Sequence, residues 1–419
     1  MATMDKFMIT NWCGVPHKFV WNADGSLAVD RFREVAESGI NLVVAYDYGY
    51  KTNCEMLAAC HEIGLRVTLC DERIDRAVHD SEHRRELLRA VVEDYSGYPA
   101  LLGYHIVDEP NSGAFPALAE IREILSELDP VHEAYFNLFP NYATKEMLGN
   151  ASYYEHVEEF IDKVKPEILS YDHYHFIKGE PMEQERFEDE RQNQIYEAAF
   201  QKVERAGFFD NIEDVMAVCE RKRVPFMVII LVTEHGPYRN LTESEIRWEV
   251  FQSLCYGAKR LSYFTYWTPG VDQDEGEDFW HWKNGMIAKD GTRNPHYHMV
   301  ARINRELQAV GDILLPHKVQ AVFHIGKEPD KKVRYWQGSY GVVTALEASR
   351  ITAGFYDCGY VLLASKDHEA DQTVRLTVED GRAVSRFDKI TGIWQTVEAL
   401  DGVVTLDLAA GDGELIRIL

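Results

Sequence analysis

The sequence predicts an α/β fold: a (β/α)8 barrel, or TIM barrel, over residues 1–315, then an antiparallel β-sandwich over residues 316–419. Three observations predict it. Eight short apolar segments recur at intervals of roughly 25–35 residues, close to the ~31 of eight βα units. They are apolar on both faces, which suits buried parallel strands rather than alternating antiparallel ones. After Leu314-Leu315-Pro316 the pattern changes to short β-branched runs separated by turn residues.

Segment one is Phe7–Trp12, followed by a helix over Asp30–Ser38 that Gly39 closes. Segment two, Asn41–Asp47, leads to a helix over Glu55–Ile63 that Gly64 closes, and Arg66–Glu72 follows. Glycine at these positions supplies the left-handed cap of a helix that turns straight back into a strand. Segment four, Leu101–Asp108, runs into Glu109-Pro110 and precedes a helix over Ala114–Leu128. Segments five to eight are Glu133–Phe139, Ile168–Tyr174, Phe226–Glu234 and Arg260–Trp267. The interval between six and seven is longer than one βα unit needs. Its charged run, Glu180–Gln194, reads as a solvated helical face. In the second unit, strands are expected at Val319–Ile325, Ile351–Tyr356, Tyr360–Ala364, Thr373–Val378, Val403–Leu408 and Glu414–Leu419.

Composition narrows the partners. Of 419 residues 46% are hydrophobic, enough for a large core, so disorder is excluded. Forty-four basic against 69 acidic side chains give a formal charge of −25, which repels phosphate backbones and anionic lipid. Nucleic acid and membrane are therefore not expected as partners, and a neutral carbohydrate is compatible. The seven cysteines, an odd number, show no CxxC or CxxH spacing, so neither a disulfide framework nor structural zinc is expected. No cofactor is called for. The first residues carry no long apolar stretch, so a cytoplasmic location is the expectation, although a chain trimmed of a signal peptide would look the same.

In such a barrel, functional side chains lie where strands end. Here those ends supply Trp12, Asp47, Asp71, Asp108, Glu109, Asn137, Asp172, Tyr174, Glu234, Tyr266 and Trp267. Carboxylates, amides and aromatics dominate, and lysine and arginine are scarce, which argues against phosphorylated substrates. Cleaving an acetal needs one carboxylic acid to protonate the leaving oxygen and a second carboxylate to attack carbon or activate water. Glu109 suits the acid, since adjacent Asp108 favours its protonated form by like-charge repulsion. Glu234 suits the nucleophile, following nine residues that carry no other charge. Each would otherwise be a helix cap or a surface carboxylate.

Trp280 and Trp282, with Trp267, suggest a stacking wall for sugar, or indoles that plug the barrel mouth. Asp272, Asp274, Glu275, Glu277 and Asp278 read as a solvated acidic loop without EF-hand spacing. Tyr174 is expected to hold the nucleophile by a hydrogen bond. Strand alternation puts His173 and His175 on the face opposite Asp172 and Tyr174.

Gly103-Tyr104-His105-Ile106-Val107-Asp108-Glu109-Pro110 resembles the acid/base strand of the clan A glycoside hydrolases. Glu234 stands where that clan's nucleophile lies. Tyr256–Trp267, Asn284-Gly285-Met286-Ile287 and Asn294-Pro295-His296-Tyr297 resemble the end of family 42-type β-galactosidase barrels. The resemblance implies retaining hydrolysis of β-linked oligo- or polysaccharides by double displacement, with Glu109 acting as acid and then base. It departs at Asp108, where the clan usually carries asparagine, which puts the sugar rather than the reaction in question. Two other readings remain at this stage: a metal-dependent hydrolase or isomerase centred on His173 and His175, and a non-catalytic carbohydrate-binding barrel.

Overall fold

In a computed structural model describing residues 6–178, 204–271 and 280–419, strands β1 (Met8–Asn11), β2 (Leu42–Ala45), β3 (Arg66–Leu69), β4 (Leu101–Asp108), β5 (Glu133–Leu138), β6 (Leu169–Asp172), β7 (Phe226–Leu231) and β8 (Arg260–Phe264) close into one parallel barrel. Closure is direct, since β1 pairs with β8 from Met8↔Arg260 to Asn11↔Tyr263. The expected runs Glu180–Gln194 and 272–278 lie outside the described residues.

Strand and helix follow from local chemistry. The helix Tyr50–Ile63 ends where Gly64 takes φ 85°, a conformation a side chain would strain, and Arg66 opens β3 two residues later. The helix Glu243–Cys255 opens on a capping box, with the Thr242 hydroxyl accepting from the Glu245 N–H while the Glu245 carboxylate accepts from the Thr242 N–H. That helix is buried almost throughout because the barrel covers one side of it and the C-terminal sheet the other.

Alternation sorts each strand's side chains. On β4, Tyr104 points to the helices, donating to Asp129 at 2.7 Å, while His105 points inward against the Trp12 edge at 5.4 Å. Inside the barrel Tyr135, Ile168, Met227 and Ile229 pack together beneath Trp12 and Phe264. Below them Arg260 at the start of β8 forms a two-pronged pair with Glu133 at the start of β5, at 2.5 and 2.7 Å. The lower part of the barrel interior is thus filled by side chains.

The helix Pro295–Leu314 completes the barrel, and β9 (Val319–Ile325) begins the second unit. With β10 (Val343–Glu347), β11 (Ile351–Tyr356), β12 (Tyr360–Ser365), β13 (Gln372–Val378), β14 (Val384–Asp388), β15 (Ile393–Val397), β16 (Val403–Leu408) and β17 (Gly413–Ile418), it makes two antiparallel sheets. One is ordered β10-β13-β16 and the other β15-β14-β17-β12-β11-β9. Their facing side chains form a core of their own around Ile351, Leu363, Val374, Leu376 and Ile416. This is a β-sandwich docked on the helix Glu243–Cys255, where Gln252 donates to the Ser365 carbonyl at 3.0 Å. All seven cysteines are free, and burial pushes the Cys60 thiol up to about 12, as for a small hydrophobe rather than a nucleophile.

Candidate active site

Adjacent strand ends bring acids together. Asp108 pairs with Asn137 in the β4–β5 register, and Asn137 pairs with Ser170 across β5–β6. The Asn137 amide donates to Asp108 at 2.9 Å and to Asp172 at 3.2 Å, and its carbonyl accepts from Ser170 at 2.8 Å. Tyr135 meets the Ser170 hydroxyl at 3.0 Å, so the amide's orientation is fixed from below. Asp172 is buried, 5% exposed, and burial, then the charges of Glu109 and Asp108, hold its carboxyl well above the ordinary carboxylate range. Asp108 is open to solvent by surface area yet surrounded closely enough by protein that burial raises its pKa. That combination describes the wall of a cleft.

Glu109 stands just past β4 with φ 47°, in the left-handed region, its N–H donating to the Asn137 carbonyl at 2.8 Å. Such a conformation in a non-glycine residue costs on the order of 1 kcal/mol and persists only where surroundings impose it. Burial first, and then the Asp108 charge, raise its carboxyl from 4.5 to about 7, while a hydrogen bond from Asp172 works in the opposite direction. The sequence argument named the Asp108 repulsion; burial is the larger cause, and only folding reveals it.

The second wall is built differently. Glu234 follows β7, and its backbone pairs with Lys283, whose N–H donates to the Glu234 carbonyl at 2.9 Å. Asn284 donates to its carboxylate at 2.9 Å, and the Lys178 ammonium lies 3.4 Å away. Gly236, with φ 43°, lets the chain pass directly beneath Trp280, since a Cβ there would lie 2.6 Å from the indole. Trp280 is 41% exposed. Trp282 stacks on His235 at 4.2 Å. Burial lowers the His235 imidazole to about 4, so this support is an uncharged ring at neutral pH.

Between the walls lies an aromatic seam. Tyr174 stacks on Phe264 at 5.3 Å and meets the edges of Tyr238 and His235. Arg205 caps it, its guanidinium 3.9 Å from the Tyr142 ring centroid and 5.3 Å from that of Tyr238.

Several expected positions carry structural work instead. Asp47 accepts from the N–H of Gly49 at 2.8 Å, the amide of Asn53 at 2.9 Å and the N–H of Glu72 at 2.9 Å, tying two loops together. Asp71 caps the helix Glu72–His79 and grips Arg73 through two bonds of 2.8 Å. Tyr266 and Trp267 are core residues, 0% and 2% exposed. After β8 the chain keeps running beside Trp12 and Cys13, and Trp267 packs on Phe19 at 4.9 Å with the Arg31 guanidinium over its ring. Trp12, partly buried, packs among His105 and Tyr135 at the top of the barrel interior. The expected bond from Tyr174 to Glu234 is replaced by Lys178 and Asn284.

His173 and His175 turn away from the cleft. His173 bonds Asn211 at 3.0 Å, whereas His175 stacks flat on Trp248 at 4.3 Å and approaches Glu204 at 3.6 Å. Different partners hold the two rings. Among the described residues the grouping of side chains able to ligate a metal is His317, Asp357 and Cys358, at the junction with the sandwich and away from the strand ends.

Sequence reasoning missed Lys178, Arg205, Tyr238 and Asn284. Asn284 alone carried a signal, as part of the Asn284-Gly285-Met286-Ile287 resemblance. The others belong to long βα segments, where no periodicity says which residue turns inward.

No family model matches the chain, and no curated protein matches it in sequence. Solved structures do match in fold. A glycoside hydrolase family 5 protein from Bacteroides vulgatus superposes with a TM-score of 0.57 at 10% identity, covering 99% of this chain and 89% of that one. A structure named only as a glycoside hydrolase gives 0.56 at 10% identity, covering 99% and 92%. A β-galactosidase from the psychrophilic Marinomonas ef1 gives 0.51 at 12% identity over 74% of this chain; the match spans 61% of that longer protein. The chain therefore has the barrel-and-sheet architecture of known glycoside hydrolases, with an acid cluster at the ends of its strands four to six and a paired carboxylate after strand seven.

Proposed function

We propose that this chain is a retaining glycoside hydrolase acting on β-linked oligo- or polysaccharides, with Glu109 as acid/base and Glu234 as nucleophile. One observation carries the reading. Two glutamates at the mouth of one barrel sit in opposite surroundings: Glu109 is pushed toward its protonated form, to about 7, while Glu234 faces an ammonium and an amide N–H. Paired carboxyls with divergent environments divide acid from nucleophile.

In the first step Glu109 gives its proton to the glycosidic oxygen as the bond to the anomeric carbon breaks, and Glu234 attacks that carbon from the other face. In the second, Glu109, now a carboxylate, takes a proton from water, which displaces Glu234. Trp280 supplies an apolar face suited to a pyranose ring, and Asp108 offers an acceptor to a sugar hydroxyl where an asparagine would offer a donor. The fold neighbours bear glycosidase names, which supports the reaction class; the sugar and linkage are part of the proposal.

The test is a panel of aryl β-glycosides and soluble glucans, galactans and mannans, with the first product anomer followed by proton NMR. A β product supports double displacement. Initial release of the α anomer overturns it in favour of inversion, and binding without turnover of any bound glycan overturns the enzyme reading altogether.

A further inference from the structure

The chain just past β6, residues 175–178, is flanked by two other backbone runs. On one side it meets Glu204-Arg205, through Phe176↔Glu204 and an Arg205 N–H that donates to the His175 carbonyl at 2.7 Å. On the other it meets Pro237-Tyr238, through Ile177↔Tyr238 and a Lys178 N–H that donates to the Pro237 carbonyl at 2.7 Å. Two cations, Lys178 and Arg205, are thereby brought beside the loop that carries Glu234. Lys178 is committed there, 3.4 Å from the Glu234 carboxylate.

Arg205 has no such commitment. Arg84, Arg239, Arg247 and Arg260, partly or wholly buried, hold the carboxylates of Glu120, Glu245, Glu306 and Glu133. Among the described residues no carboxylate lies within 4.0 Å, the reach of an ion pair, of the Arg205 guanidinium. Adjacent Glu204 is engaged elsewhere, 2.9 Å from His368 of the sandwich and 3.6 Å from His175. Asp172 attracts Arg205, but from beyond ion-pair distance. What holds the guanidinium is aromatic, with the Tyr142 ring centroid at 3.9 Å and that of Tyr238 at 5.3 Å. Rings engage the face of a guanidinium and leave its N–H groups, which lie in its plane, to donate outward. Tyr142 is 37% exposed and Arg205 only partly buried, so water and ligands reach this edge of the cleft. A partly desolvated cation without a counter-ion is costly, and a bound anion relieves that cost.

We infer that Arg205 is the docking point for a carboxylate on the substrate, so that the sugar taken by this cleft is a β-linked hexuronide rather than a neutral hexoside. A uronate presents two coplanar oxygens to the planar fork of N–H donors, whereas a hydroxymethyl group at the same carbon presents one uncharged oxygen. A sulfate ester shares the charge but not the planarity. The formal charge of −25 works against a polyanion, so the fit is to a single acidic unit on a short or otherwise neutral glycan. That the uronide is cleaved rests on the hydrolase reading; that it is bound does not.

The experiment measures kcat/KM for wild type, Arg205→Gln and Arg205→Lys on aryl β-glucuronide and β-galacturonide, on the matching glucoside and galactoside, and on a galactoside sulfated at its primary hydroxyl. Wild type should favour a uronide over its neutral partner by about 100-fold, the scale of one desolvated charge pair. Arg205→Gln should erase that preference, lowering the uronide about 100-fold and leaving the neutral glycoside within about threefold. Arg205→Lys, which keeps the charge without the fork, should fall between the two. Equal losses on both classes of substrate, or a wild type that favours the neutral glycoside, overturn the inference, and a preference for the sulfate overturns the carboxylate assignment. Isothermal titration with sodium glucuronate and with glucose runs alongside, because it needs no turnover. Wild type should bind glucuronate about tenfold or more tightly than glucose, and Arg205→Gln should not. Equal affinities in wild type overturn the inference, a result that stands even where Arg205→Gln fails to fold. If no glycoside is turned over, the hydrolase reading fails while these titrations still decide this one.

Discussion

The two walls of the cleft use the same residue type for opposite ends. On the β4–β6 side Glu109 sits beside Asp108 and Asp172, which share the Asn137 amide, and burial raises its carboxyl. On the β7–β8 side Glu234 meets Lys178 and Asn284. A glutamate's chemistry is thus set by what the neighbouring strand ends bring to it. The β4–β6 wall is assembled by strand register, with Asp108 paired to Asn137, Asn137 to Ser170, and Asp172 two residues further along β6. The β7–β8 wall is assembled by loops that cross over one another.

The comparison can be broken by removing either glutamate. Glu234→Ala should abolish turnover of every glycoside, and added azide should restore it with formation of an α-glycosyl azide, checked by NMR; a β-azide would exchange the roles of the two residues. Glu109→Gln should lower kcat by about 10²- to 10⁴-fold on natural substrates and much less on glycosides with acidic leaving groups. Equal loss on both kinds of leaving group would remove Glu109 from the acid role.

The pH dependence sharpens it further. Because the acid must carry its proton, kcat/KM should fall as pH rises through about 7, where Glu109 titrates. The same raised carboxyl implies a stability cost that is absent below the unfolded value near 4.5 and grows as pH rises toward 7. Glu109→Gln should therefore raise Tm at pH 8 and leave it nearly unchanged at pH 4; an equal shift at both would contradict the burial argument.

The smallest functional effect is expected at the tryptophans, where the two exposures differ most. Trp280→Ala should raise KM by about 3- to 10-fold, the loss of one stacking contact, with little change in kcat or Tm. Trp267→Ala, at a buried position, should instead cost about 3–5 kcal/mol of stability, read by denaturant unfolding.

Much of this was legible before folding. The period of apolar segments marks the eight strands, because a parallel strand buried on both faces must be apolar throughout. The switch to β-branched runs marks the second unit. Its strands β10, β14 and β15 were not anticipated, since their alternation of exposed and buried residues is short and interrupted. Strand ends gave Asp108, Glu109, Asn137, Asp172 and Glu234 as candidates, but also Asp47, Asp71, Tyr266 and Trp267, which serve the loops and the core. A strand end says where a side chain starts, and nothing about which partner reaches it first.

What the sequence determined by itself is the architecture and the supply of carboxyl groups to one rim, because periodicity and strand length are local properties. The tertiary structure alone decided which of those carboxyls go unpaired, which are spent on arginine or backbone N–H groups, and which are driven toward their neutral form. Those outcomes depend on desolvation and on partners brought in by neighbouring strands and loops, and both come into being only when the barrel closes.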